Sequence, residues 1–130
     1  MAKKKTETER PTLVYHGEFG DTQVILKSDT YTTGNLYLGL CKKTEEGLDH
    51  FADITVNMPY YLPMLDSNEV FVSGDLGDHM LRFIRENKLG RIRREPVTVW
   101  GHGYRIAALN MKRLAQFDPE GITAYLEAVS

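Results

Sequence analysis

Strict alternation of apolar and polar positions is the clearest signal in the first half of this chain. In Asn35 to Cys41 the residues Leu36, Leu38 and Leu40 share one face, and Tyr37, Gly39 and Cys41 share the other. In Phe51 to Asn57, Ala52, Ile54 and Val56 alternate with Asp53 and Thr55. A period of two belongs to a strand with one face on a core. The connection between them, Lys42 to His50, is polar and contains Gly47, which predicts an antiparallel pair joined by a long hairpin loop. Shorter strands are predicted over Thr12 to His16, Thr22 to Lys27 and Glu69 to Ser73, with Gly17, Gly20 and Asp21 turning the chain between the first two.

The period becomes helical over Asp75 to Leu89, where Leu76, Met80, Phe83 and Ile84 form an apolar face. Asp75 is the expected cap and Gly90 the expected stop. A second hairpin is predicted from Val97 to Trp100 and Tyr104 to Leu109 around Gly101-His102-Gly103. Asp118-Pro119-Glu120 then opens a C-terminal helix with Ile122, Tyr125, Leu126 and Val129 at helical spacing. Residues 1 to 10 have no apolar periodicity and read as a mobile tail. Residues 11 to 130 read as a single α+β domain, an antiparallel sheet of about five to seven strands packed against one or two helices.

Composition narrows the class. With 42% hydrophobic and 26% charged residues in 130, the chain can bury a core without a metal or disulfide. Cys41 is its only cysteine, which rules out an internal disulfide and a multi-thiolate metal site. As a small buried hydrophobe in a reducing, cytoplasmic compartment, Cys41 needs no further role. No apolar stretch approaches the ~20 residues of a membrane span, and none follows the basic start as a signal peptide would require.

Charge is strongly partitioned along the chain. Thr44 to Leu81 spans 38 residues with eight carboxylates and no Lys or Arg, whereas Arg82 to Arg94 holds six cations against Glu86. The dipole of the predicted helix accounts for part of this division, because acids sit at its start and cations near its end. A net charge of -2 hides the polarity, which bears on partners more than on fold.

Catalytic chemistry has little support. His16, His50, His79 and His102 lack metal-ligand spacing. Asp49-His50 and Asp78-His79 are adjacent pairs, and neighbours on a helix or strand do not face one another. Gly74-Asp75-Leu76-Gly77 puts acids where a phosphate needs cations. No catalytic residue, metal ligand or cofactor is expected, and a binding module is.

The leading candidate surface is the charge-free segment Met58 to Leu65, with Tyr60, Tyr61 and Met64 as anchors and Asp49, Asp53, Asp66 and Glu69 as an acidic rim. Two prolines make it a loop that either plugs the core or docks on a partner with a basic groove. The alternative is the basic segment 82 to 94, with Arg91, Arg93 and Arg94 on phosphates and Trp100 and Tyr104 stacking on bases of a signalling nucleotide or a nucleic acid. A homodimer is a further option if Val97 to Trp100 or the N-terminal strand presents a sheet edge.

Three stretches together carry a family resemblance: Gly34-Asn35-Leu36-Tyr37-Leu38-Gly39-Leu40, Asp53-Ile54-Thr55-Val56-Asn57-Met58-Pro59 and Phe83-Ile84-Arg85-Glu86-Asn87-Lys88-Leu89-Gly90. Over about residues 30 to 110 the chain resembles a family of small uncharacterised proteins, a domain of unknown function carried on bacterial conjugative elements and phages. Where that family has an Asp-Thr-Asn-Asn-like stretch before its helix, this chain has Ser73-Gly74-Asp75-Leu76. The resemblance implies a mobile-element setting and a protein that counters host defence, such as an anti-CRISPR inhibitor of a CRISPR effector nuclease.

Overall fold

The computed structural model describes residues 10–74 and 77–129. It is α+β, and among the described residues its strands divide into three antiparallel sheets instead of one. β1 (Leu13–Gly17), β2 (Gly20–Thr30), β3 (Leu36–Thr44) and β4 (Gly47–Asp53) form a meander in that order. β5 (Thr55–Val56), β6 (Glu69–Val72), β7 (Gly90–Ile92) and β10 (Ile106–Leu109) form a second sheet in the order β5-β6-β10-β7. β8 (Val97–Val99) and β9 (His102–Tyr104) make a separate ribbon.

The predicted strand 51–57 is divided because Ile54 belongs to both sheets. Its N–H donates to Leu38 O at 2.9 Å, and its carbonyl accepts from Ser73 N at 2.8 Å. Its side chain is fully buried, so the alternating pattern runs unbroken through the crossing. The long loop expected over 42–50 is a tight hairpin. Thr44 pairs with Gly47, and Glu45 and Glu46 make the reversal. Lys42, Lys43, Asp49 and His50 are exposed, and this solvated end of the ribbon reads as loop for lack of an apolar face.

α1 (Asp78–Glu86) buries Met80, Leu81, Phe83 and Ile84 and packs on β1 and β7. Asp75, the expected cap, lies outside the described residues. At the other end Lys88, not Gly90, takes the left-handed conformation, with φ 56. Gly90 serves a different need: a Cβ there would lie 2.6 Å from Ala108 O in the paired strand β10.

A short α2 (Met111–Ala115), capped by the Asn110 side chain, precedes α3 (Pro119–Val129). Asp118 is 1% exposed and fixes α3 to β2. Its Oδ2 accepts from Ser28 N at 2.7 Å and Ser28 Oγ at 2.6 Å, and its Oδ1 accepts from Gly121 N at 3.2 Å. Arg10 pairs with the same carboxylate at 3.2 Å, so the folded body includes Arg10. One apolar cluster joins Leu26, Leu38 and Leu40 of the first sheet to Ile84, Leu89, Leu109, Leu114 and Ile122.

Candidate functional site

The segment 90–109 forms an irregular hairpin whose outer half leaves the second sheet. β7 pairs with β10, then Arg93 N–H donates to Ile106 O at 2.7 Å and Arg105 Nη2 donates to Arg93 O at 2.8 Å. Beyond these bonds β8 and β9 continue the arm, closing with Val99 opposite His102. The reversal is therefore Trp100-Gly101, with φ 52 and 80, and not the expected Gly101-His102-Gly103. Two consecutive positive φ values are those of a primed turn, whose first place normally takes Asn, Asp or Gly. Trp100 is 94% exposed there, so no burial offsets a left-handed backbone that costs an ordinary side chain about 1–2 kcal/mol. Strain of this kind collects at functional positions.

Cations lie at the base of the arm. Arg85 and Lys88 at the end of α1 and Arg91 on β7 line a groove of about 550 Å³ with Ile92, Leu109 and Asn110. Among the described residues none of the three makes an ion pair. Among the described residues β7 is the outer strand of its sheet. Arg94 is exposed farther along, and Tyr104 is half-buried at the root of the ribbon.

Arg93 takes a different course. It reaches Glu69 at 2.7 and 2.9 Å, and Glu69 Oε1 also accepts the Asp66 N–H at 2.9 Å. The Glu69 side chain is 6% exposed. Glu69 is therefore an internal anchor for the arm and not an exposed rim charge. A buried carboxylate needs the cation, and the two residues, 24 apart in sequence, lie where β6 and the arm meet.

The other acids of the expected rim also have separate surroundings. Asp53 accepts a hydrogen bond from Tyr37 Oη at 2.7 Å and lies 3.5 Å from His50 Nε2. Asp49 is exposed opposite Lys42. Asp66 lines a groove of about 300 Å³ with Thr33, Asn35, Leu62, Leu65 and Tyr125. Burial, and then the Asp53 carboxylate, hold the Tyr37 phenol above its ordinary pKa. Burial raises Tyr31 as well, against the opposing hydrogen bond that its hydroxyl oxygen shares with Thr55 Oγ1 at 2.9 Å. Asn35 Nδ2 donates to Asn57 Oδ1 at 3.0 Å, so the Gly-Asn-Leu and Thr-Val-Asn motifs meet in a polar network.

The apolar segment is a 3-10 turn, Pro59–Met64, rather than an irregular loop, and it buries none of its residues fully. Tyr61 leans on the Phe71 ring at 6.5 Å, while Tyr60 is 95% and Met64 44% exposed. The segment is thus half prop and half open surface. The basic segment 82 to 94 includes Arg85 and Lys88 without singling them out as phosphate contacts; the structure brings them beside Arg91, where the end of a helix meets a strand. Among the described residues no group of three His, Cys, Asp or Glu could hold a metal, and no helix is long and apolar enough to cross a membrane.

A family model matches residues 25–129, which takes in both motifs, α1 and the whole arm. The chain belongs to that family, Domain of unknown function (DUF4313). The DUF4313 match begins within β2 and leaves β1 outside it. Comparison with curated proteins and with solved structures gave no match.

Proposed function

We propose that this DUF4313 protein is a non-enzymatic binding module that grips single-stranded nucleic acid along the 90–109 arm. The observation that carries the reading is Trp100, exposed and left-handed at the tip of a ribbon whose base is a cationic groove without ion pairs among the described residues. Arg85, Lys88, Arg91 and Arg94 neutralise successive phosphates, and the Trp100 ring stacks on a base without regard to sequence. A mobile element that transfers or protects its own DNA in a bacterial cytoplasm has use for such an accessory protein.

Trp100 is the chain's only tryptophan, so its emission reports contact at the tip directly. Titration with a thymidine 12-mer at low salt should quench that emission in step with binding read independently by anisotropy. Binding without any change in Trp100 emission would remove the stacking role. Mononucleotides serve as the contrast: tight binding of a nucleotide alone would favour a sponge for a signalling nucleotide at the same groove.

A second reading rests on Tyr60 and Met64, whose outward placement on the turn gives a partner protein an apolar foothold. In that reading the protein inhibits a host defence factor, such as a CRISPR effector nuclease, by occupying its surface. The acid contribution then comes from Asp49, Asp53 and Asp66, without Glu69. Capture of a nuclease from host lysate by the unaltered chain, lost in Tyr60→Ala and retained in Trp100→Asn, would favour it over nucleic-acid binding.

A further inference from the structure

Among the described residues every positive-φ position is a glycine except two, Lys88 at φ 56 and Trp100 at φ 52. Lys88 lies just past the end of α1, where its N–H donates to Arg85 O at 3.1 Å and the Leu89 N–H donates to Ile84 O at 3.0 Å. A helix that closes on a left-handed residue in this place normally uses glycine. Lys88 is exposed and makes no ion pair among the described residues, so neither packing nor a charged partner offsets its backbone strain. The C-terminal end of a helix disfavours anions, but here Asn87 Nδ2 donates to Phe83 O at 2.9 Å and Arg113 Nε donates to Asn87 O at 3.0 Å. Those bonds quench part of the negative end, and no carboxylate residue lines the groove beside it.

The two left-handed residues stand at opposite ends of one extended run of chain. Beside Lys88 the Asn110 N–H donates to Leu89 O at 2.8 Å, and beside Trp100 His102 pairs with Val99. The eight steps from His102 to Asn110 through β9 and β10 cover up to about 26 Å at a strand rise of about 3.3 Å. A nucleic-acid strand covers that distance with about eight nucleotides at the stacked spacing of about 3.4 Å, or about four if unstacked to twice that spacing. We infer, resting on the nucleic-acid reading, that Lys88 and Trp100 are the two end contacts of a single ligand, an unpaired strand of at least about four nucleotides. One of its phosphates sits on the Lys88 ammonium and one of its bases on the Trp100 ring. Mononucleotides and dinucleotides reach one end only.

Thymidine 2-mers, 4-mers, 8-mers and 12-mers would be titrated into the whole chain at low salt, with Trp100 emission and competition anisotropy read together. Affinity should rise at least roughly tenfold from the 2-mer to the 8-mer and less than roughly threefold from there to the 12-mer, because one molecule then makes the second contact intramolecularly. Lys88→Gly should weaken the 12-mer about fivefold, read as a shifted midpoint of Trp100 quenching, while quenching by the 2-mer, followed up to about 10 mM, is unchanged. Lys88→Asn, which also tolerates the left-handed backbone, should do the same, and both variants should melt at or above the temperature of the unaltered chain. Affinity independent of length, equal shifts for the 2-mer and the 12-mer, unchanged 12-mer affinity in both variants, or a lowered melting temperature in both would overturn the assignment. Failure of the unaltered chain to bind the 12-mer at all would remove the nucleic-acid reading itself, and this assignment with it.

Discussion

Removing the cation from the Glu69–Arg93 pair tests whether Glu69 anchors the arm or is simply a surface acid. In Arg93→Met the carboxylate, 6% exposed, keeps only the Asp66 N–H and loses both contacts to the guanidinium. Breaking a fully buried pair costs about 3–5 kcal/mol. Arg93 is itself 43% exposed, so water reaches the vacated place and the loss should fall to about 2 kcal/mol. For 130 residues, an unfolding entropy of about 2.1 cal/mol/K per residue converts this to a fall of roughly 7 °C in melting temperature. Glu69→Gln alone keeps hydrogen-bonding capacity and should cost about 1 kcal/mol. In the double variant the neutral amide no longer needs a cation, so the two losses should fall short of additive by at least about 1 kcal/mol. Urea unfolding of the four proteins supplies the cycle. Additive losses, or a cost of Arg93→Met below about 0.5 kcal/mol, would refute the internal anchor and return Glu69 to the surface acids.

Trp100→Asn places in the turn a residue that tolerates positive φ, and should stabilise the protein by about 1 kcal/mol in urea unfolding while weakening oligonucleotide binding. A loss of stability would mean that the indole is held by packing and the turn is unstrained. Asp118→Ala removes acceptors for three donors and the partner of Arg10 together, so it should cost about 3 kcal/mol or more by thermal or chemical melting, whereas loss of a helix cap alone costs about 1 kcal/mol. At alkaline pH, Tyr15, Tyr31, Tyr37 and Tyr125 all have raised pKa values, chiefly through burial. The unfolded chain therefore releases these protons first. The stability they contribute is full below about pH 10 and is lost as pH rises from there through the folded values. Absorbance titration near the ultraviolet tyrosinate band should show them ionising late, together with unfolding, and Tyr37→Phe should reduce the dependence.

Much of the fold was legible because burial imposed a period. Leu36, Leu38 and Leu40 identified β3, and Pro119 with Ile122 and Tyr125 identified α3. The division into two main sheets was hidden, since Ile54 keeps the alternation while its two backbone groups serve different sheets. The site was less legible for a related reason. Runs of one charge along the chain suggest separate acidic and basic surfaces, but folding brings Glu69 from one run against Arg93 from the other. Among the described residues the cations of the basic groove make no ion pair, and they come from a helix end and an edge strand that share no pattern. Trp100 was seen as an aromatic near cations; its left-handed backbone depends on the two-residue register of β8 and β9, which no local pattern fixes.

The salt dependence of oligonucleotide affinity tests the central claim most directly. Four cations against a single strand should give a slope of about -2.8 in log K against log salt, a loss of about fiftyfold between 50 and 200 mM. Replacing Arg85, Lys88 and Arg91 by Gln should flatten that slope to about -0.7, the value for one remaining contact. A wild-type affinity indifferent to salt, or an unchanged slope in the triple variant, would contradict the account.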